Sequence, residues 1–280
     1  MFSLPPPEFE PGETFSLCIS RVKNEGLRNR LKAAVSSIES AARDYKKRGQ
    51  QATLYLIKAE DKVNGNVTKK EMGKVYTDRM AKVGSPGRDV YDKIMSLSQH
   101  DVCPMCGHRN VSTLDHVLPK AHYPIFSVMP LNLIPCCADC NTTKRDTILG
   151  AAETTFFHPY YDDMGDAEWL KAAVIEKKPC AVIFNVSAPE EWEPEKMARL
   201  ENQFGKLKLN RLYSSQAAQE ISAIRQRLES LFEDEGAEGV KDYLGRERDS
   251  RIANRPNTWQ AATYAALCES KWFCAGGFKC

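Results

Sequence analysis

Residues 103–144 read CPMCGHRNVSTLDHVLPKAHYPIFSVMPLNLIPCCADCNTTK, and this stretch decides how the rest of the chain is interpreted. Cys103 and Cys106 make one Cys-x-x-Cys pair, and Cys137 and Cys140 make a second one thirty residues later. Each pair can present two thiolates to the same tetrahedral ion at about 2.3 Å, which predicts a Zn(Cys)4 site. Four thiolates leave no position for water, so the zinc is expected to be structural. In a stretch read as poor in large apolar residues, such an ion supplies much of the local folding free energy. Five of the ten cysteines fall between 103 and 140, a clustering that favours metal over a disulfide framework. Cys136, next to Cys137, lacks the two-residue spacing to Cys140 and reads as a small buried hydrophobe.

Between the pairs lies Leu114-Asp115-His116-Val117-Leu118-Pro119-Lys120, then Asn132; Asn141 and Lys144 follow the second pair. Hydrolysing a phosphodiester near neutral pH needs a group that takes a proton from water, and a neutral imidazole suits that task. Carboxylate and carboxamide oxygens are the hard ligands that Mg²⁺ or Mn²⁺ accepts. The joint pattern resembles the HNH endonucleases, whose ββα-metal core carries these residues at compatible spacing over about 45 positions. The resemblance implies His116 as general base and Asp115 with Asn141 as ligands of a catalytic Mg²⁺ or Mn²⁺. It implies Asn132 as the residue that holds the loop and keeps His116 oriented, and Lys144 as an ammonium that reaches the phosphate. Asn141 and Lys144, three apart, share one helix face. Adjacent strand residues point to opposite faces, so Asp115 and His116 can converge only if the strand ends irregularly, for which Pro119 gives a reason.

A wider string, Tyr91-Asp92-Lys93-Ile94, Tyr123-Pro124, Asn132-Leu133-Ile134-Pro135 and His158-Pro159-Tyr160, is similar to the HNH nuclease subunits (PtuB) of Septu-type and retron-associated antiphage systems. That likeness implies an ABC-type ATPase partner. The sequence holds no GxxxxGK[ST] loop, so nucleotide hydrolysis would come from the partner. His100, His108, His122 and His158 read as surface or packed side chains, with His122 the nearest to the phosphate.

Outward from the motif the pattern is helical. Leu27, Leu31, Ala34, Val35, Ile38, Ala41, Ala42 and Tyr45 recur at three and four, predicting one helix over Val22–Arg48. Residues 21–48 hold nine Lys or Arg against three Asp or Glu, a local basic face suited to solvent, nucleic acid or an acidic partner. Ala52–Ala59 reads as a second helix, Asn64-Gly65 as a turn, and Thr68 with Glu71 as a capping box. Val90, Tyr91, Ile94 and Leu97 suggest a short helix leading into the cysteines. Beyond Gly150, Ala181–Val186 reads as a strand, and 194–209, 214–235, 237–253 and 258–269 as helices divided by Asn210, Gly236 and the turn at 254–257.

With 280 residues, 42% hydrophobic and 27% charged, and 39 basic against 37 acidic side chains, disordered, collagenous and membrane-spanning classes are excluded. The first twenty residues carry four prolines and no basic start before an apolar run, so the expected location is cytoplasmic. The expected fold is α+β and mostly α-helical, with a helical region over 1–98, a zinc-stapled HNH core over 99–150 and a mainly helical region over 151–280. The expected function is a metal-dependent endonuclease acting on DNA or RNA with an ATPase partner, without a membrane. The competing class is a non-catalytic zinc-stapled module that binds nucleic acid or protein.

Overall fold

Pro11 starts the first helix, α1 (Pro11–Ile19), where its fixed φ suits the opening helical position and its missing N–H leaves no bond unmade. The Pro-rich opening of the sequence therefore passes into helix earlier than its composition suggests. The computed structural model of the chain describes residues 1–146, 150–165, 167–187 and 189–279, and these fall into two units, Met1–Met164 and Gly165–Cys280. The sequence regions 1–98 and 99–150 lie together in the first unit.

The single helix expected over Val22–Arg48 is two. Asn24 caps α2 (Glu25–Ala33) by accepting the Leu27 N–H at 2.8 Å, and Ala34 separates it from α3 (Val35–Gln50). The apolar period runs through the break, with Leu31, Ala34, Ile38, Ala42 and Tyr45 all buried. Asn64 Nδ2 donates at 3.3 Å to the Ala33 carbonyl, one of those a helix end leaves without a partner. Asn64 sits in the turn of a small hairpin, β1 (Lys62–Val63) with β2 (Val67–Thr68), where Asn64 and Gly65 take φ of 50° and 72°. Asparagine and glycine tolerate that left-handed backbone best. The helix expected over Ala52–Ala59 is only a 3₁₀ turn, Leu54–Leu56, because Ala52 enters the left-handed region at φ 55° and the chain leaves extended at Ile57.

The Thr68–Glu71 capping box forms, with Glu71 accepting the Thr68 N–H at 2.9 Å and Thr68 accepting the Glu71 N–H at 3.3 Å. It opens α4 (Lys69–Tyr76), which runs into a π-helical turn over Thr77–Ala81 and is followed by α5 (Arg88–Met95). The motif stretch then forms β3 (Thr113–His116), antiparallel to β4 (Leu133–Cys136), and α6 (Ala138–Lys144). Thr113 stands opposite Cys136 and His116 opposite Leu133. Leu114 and Leu133 share one apolar core with Leu31, Ile38, Met72, Tyr76 and Ile94. The hairpin is thus seated by burial as well as by its thiols, contrary to the reading of an apolar-poor stretch; each buried leucine is worth about 2 kcal/mol.

In the second unit β6 (Ala181–Val186) matches the expected strand, and its antiparallel neighbour β5 (Leu170–Ile175) is an element the sequence reading missed. Three helices follow, α7 (Pro194–Lys206), α8 (Leu209–Asn254) and α9 (Trp259–Glu269). Gly236, expected as a separator, is a single non-helical residue at φ 67° within the long α8. Phe184 from the sheet meets Tyr213 of α8 edge-on, ring centroids 5.5 Å apart. Asn257, in the turn before α9, accepts the Trp169 and Leu170 N–H groups at 2.8 and 3.0 Å and donates to the Ala167 carbonyl at 2.8 Å, fixing the start of β5. The described residues are mostly helical with three two-stranded antiparallel sheets, an α+β architecture, and hold no helix long and apolar enough to cross a membrane.

Candidate metal centre and the Asp115–His116 cluster

The two Cys-x-x-Cys segments are brought together where β3 and β4 begin and end. The sulfurs of Cys103, Cys106, Cys137 and Cys140 all lie within 4.8 Å of one another and are buried. An ion 2.3 Å from four sulfurs would set them about 3.8 Å apart, so the group has the size and donor chemistry for one tetrahedral metal ion. Backbone N–H groups already point at the sulfurs: Arg109 donates to Cys106 Sγ and Cys140 to Cys137 Sγ, both at 3.4 Å. Hydrogen bonds from Cys103 and the other neighbouring thiols hold the Cys137 thiol well below the usual cysteine range. Its place as the residue capping α6 favours the same thiolate. An ion pair at 2.7 Å, Arg109 to Asp139, ties one cysteine pair to the other. Cys136 is buried, as expected, and its sulfur lies 3.9 Å from that of Cys103.

At the other end of the hairpin, β3 stops at His116. The imidazole is edge-on to the Tyr76 ring, centroids 4.5 Å apart, and its Nε2 is 2.8 Å from the Ser127 carbonyl oxygen. A carbonyl only accepts, so Nε2 carries the proton and Nδ1 carries the lone pair of the neutral ring. Burial pushes the His116 pKa down to about 3, with the charges of Lys120 and Lys144 acting the same way. The side chain is therefore neutral through the physiological range.

Asp115 and Lys144 form a closed pair. Lys144 Nζ stands 3.1 Å from Asp115 Oδ2 and donates to the His116 carbonyl at 2.6 Å. Asp115, His116 and Lys144 are 4, 5 and 6% exposed. Burial raises the Asp115 pKa, and the lysine opposes it. The ammonium is close to Oδ2 but not aligned for a hydrogen bond, so that buried oxygen has no hydrogen-bond partner. A buried carboxylate oxygen of this kind suits a hard cation, and Asn141, half-buried three residues before Lys144 on α6, offers a second hard oxygen. Both are oxygen donors of the kind that Mg²⁺ or Mn²⁺ accepts, and the Lys144 ammonium stands beside the Asp115 oxygen. The Lys144 ammonium, expected at the phosphate, is turned inward onto Asp115 and the His116 carbonyl.

Asn132 is fully buried and makes a four-way clamp. Its Oδ1 accepts from the Leu118 N–H at 2.7 Å and from the Tyr45 hydroxyl at 3.1 Å; its Nδ2 donates to the Leu118 and Phe126 carbonyls at 3.0 and 3.2 Å. Those bonds fix both ends of the loop that carries Ser127 to His116. His158 extends the chain: its Nδ1 accepts the Tyr160 N–H at 3.2 Å, so Nε2 carries the proton toward the Tyr45 oxygen 3.1 Å away. The Tyr45 hydroxyl proton is then free for Asn132.

Sequence reasoning missed Tyr45, His158, Tyr76 and Lys120. Tyr45 is hidden by the helical period that makes it a core residue, His158 was visible only as a member of the wider string, and Lys120 only as the last residue of the Leu114–Lys120 stretch. Lys120 Nζ lies 5.2 Å from the centroid of the Tyr76 ring, on the residue that also packs against His116. His122 is half-buried, and its backbone carbonyl accepts the Glu60 N–H at 2.9 Å; His100 is exposed.

Over 230 residues the chain is 30% identical to protein ea31 of Escherichia phage lambda, a match covering 76% of this chain and 77% of ea31. The chain belongs to the ea31 family. No protein-family model and no solved structure matches it.

Proposed function

We propose that this ea31-family protein is a metal-dependent endonuclease of HNH type, hydrolysing phosphodiester bonds in DNA or RNA. The observation that carries this reading is His116 at the end of a hairpin strand, with Nε2 tied to the Ser127 carbonyl and Nδ1 left as the basic atom, on a β-β-α segment whose helix starts at the cysteine cluster. In this reading His116 Nδ1 accepts a proton from the attacking water. The phosphate is an anion next to the imidazole and raises its basicity from the depressed value of the free protein. Asn132 and the loop it clamps hold the ring against rotation. Asp115 and Asn141 would hold Mg²⁺ or Mn²⁺, which when bound neutralises charge on the phosphate and on the departing oxygen. The four cysteines would carry a structural zinc that sets where α6 begins.

The likeness to Septu-type and retron-associated subunits adds an ABC-type ATPase as partner and a cytoplasmic role in antiphage defence. The test is to incubate the purified protein, alone and with any co-encoded ATPase, with duplex DNA, single-stranded DNA and RNA in Mg²⁺ or Mn²⁺. Cutting by wild type and none by His116→Ala supports the reading; equal cutting by both removes it.

A second reading, a zinc-stapled binding module without catalysis, is favoured by the Lys144 ammonium on Asp115 and by the near-complete closure of Asp115 and His116. It predicts that the protein binds nucleic acid or protein with no cleavage under any of these conditions.

A further inference from the structure

The phosphate of a nuclease substrate needs a cation that is not already neutralised, and the geometry points away from Lys144. That ammonium is buried between the Asp115 carboxylate and the His116 carbonyl, so its charge is matched by Asp115 and one of its donors is spent on the His116 carbonyl. Four residues along from His116 is a lysine in the opposite situation. Lys120 is half-buried, and among the described residues it is in no ion pair, although its charge acts on Asp115 from a distance. Its ammonium rests on the Tyr76 ring, 5.2 Å from the centroid, while the His116 ring meets the same tyrosine at 4.5 Å. A ring face holds an ammonium in place without consuming its N–H donors, which stay available to an anion.

The lysine is also held by its backbone. Asn132 clamps Leu118 on both its N–H and its carbonyl, and the Pro119 carbonyl accepts from the His122 and Tyr123 N–H groups at 3.0 and 2.9 Å. The Tyr76 hydroxyl donates to the Leu114 carbonyl at 3.4 Å, so the ring beneath the ammonium is fixed to the strand that carries His116. The same hairpin thus positions base and cation.

We infer that Lys120 is a catalytic residue whose ammonium binds a non-bridging oxygen of the scissile phosphate beside His116, and that Lys144 is a positioning residue that holds Asp115. This rests on the nuclease reading. No bond to Lys120 is made or broken: it donates hydrogen bonds to an oxygen whose negative charge grows as water attacks, and strengthens as that charge grows.

The test compares wild type, Lys120→Gln, Lys120→Arg and Lys144→Met on a fluorescein-labelled duplex and on a labelled single strand, in Mn²⁺. Lys120→Gln is expected to lower kcat by about 100-fold, the size of one lost transition-state donor, with KM moving less than about threefold. Its melting temperature and zinc content should match wild type, and Lys120→Arg should recover most of the rate. Lys144→Met should instead lose thermal stability. Lys120→Gln cutting within about threefold of wild type, while wild type cuts and His116→Ala does not, overturns the assignment and leaves the nuclease reading standing. A rate loss in Lys120→Gln matched by loss of fold or zinc overturns it too, because the residue would then be structural. Absence of cutting by wild type on every substrate overturns both.

Discussion

The two ends of the β3–β4 hairpin are held by opposite means. At the Thr113–Cys136 end, four buried sulfurs lie within 4.8 Å of one another, a donor set sized for one ion. At the His116–Leu133 end, polar groups are matched within the protein itself: carboxylate to ammonium, imidazole to carbonyl, carboxamide to a loop and a phenol. The first end offers its donors to something from outside. The second is largely matched internally, with Asp115 Oδ2 alone left without a hydrogen bond, so on the nuclease reading part of it has to yield for a phosphate to enter. The candidate metal centre and the Asp115–His116 cluster are thereby separated along only four strand residues.

Removing the metal should be the largest perturbation. Cys137→Ser or Cys140→Ser, or strong chelation, is expected to cost on the order of 10 kcal/mol and to unfold the hairpin, read by circular dichroism together with zinc content. Survival of a cooperative transition near the wild-type temperature would mean that the Leu114–Leu133 core alone holds this end.

Acid is the next largest lever, and it acts on the other end. His116 has its folded pKa pushed down to about 3 against an ordinary value near 6.5, so stability is full above about 6.5 and falls as the pH drops toward 3. The total is roughly 5 kcal/mol. Asp115, raised by burial, acts in the opposite sense: the cost of its charge is relieved as it protonates. Urea unfolding from pH 7 to pH 4, wild type against His116→Gln, isolates the histidine; parallel curves would remove it as the acid-sensitive group.

Lys144→Met should cost about 3–5 kcal/mol, because it leaves a buried carboxylate without its counter-charge, and the double change with Asp115→Asn should recover much of that loss. A denaturation cycle over the four proteins measures the coupling, and additive losses would mean that the pair is not a unit. The smallest expected effect is Tyr45→Phe, at about 1–2 kcal/mol, from leaving Asn132 Oδ1 and His158 Nε2 short of a partner. Its signature is a change in amide exchange at Leu118 without any change in zinc content.

The cysteine end was legible because the spacing of ligands along a chain is itself the chemical requirement: two residues between thiols is what a knuckle needs. The capping box at Thr68 and the strand at Ala181–Val186 were legible for the same reason, since each is a local rule. What periodicity concealed was the break at Ala34, where the apolar period continues although the helix does not, and β5, four of whose six residues are alanine, lysine or leucine that suit a helix equally. The inward turn of Lys144 was not legible. Helical spacing says that it shares a face with Asn141, but not whether that face meets solvent or Asp115. Tyr45 lies 87 residues from Asn132, and no local pattern connects a core tyrosine on one helix to an amide in a distant loop.

The phenol of Tyr45 and the imidazole of His158 come from outside residues 99–150, as do most of the side chains in the apolar core that Leu114 and Leu133 join. The short motif is therefore not portable. A transplant of that segment into a foreign scaffold would bring its sulfurs and its histidine but leave the clamp unsupported and two leucines facing water, so any minimal version of this protein has to begin well upstream of the first cysteine and run beyond Tyr160.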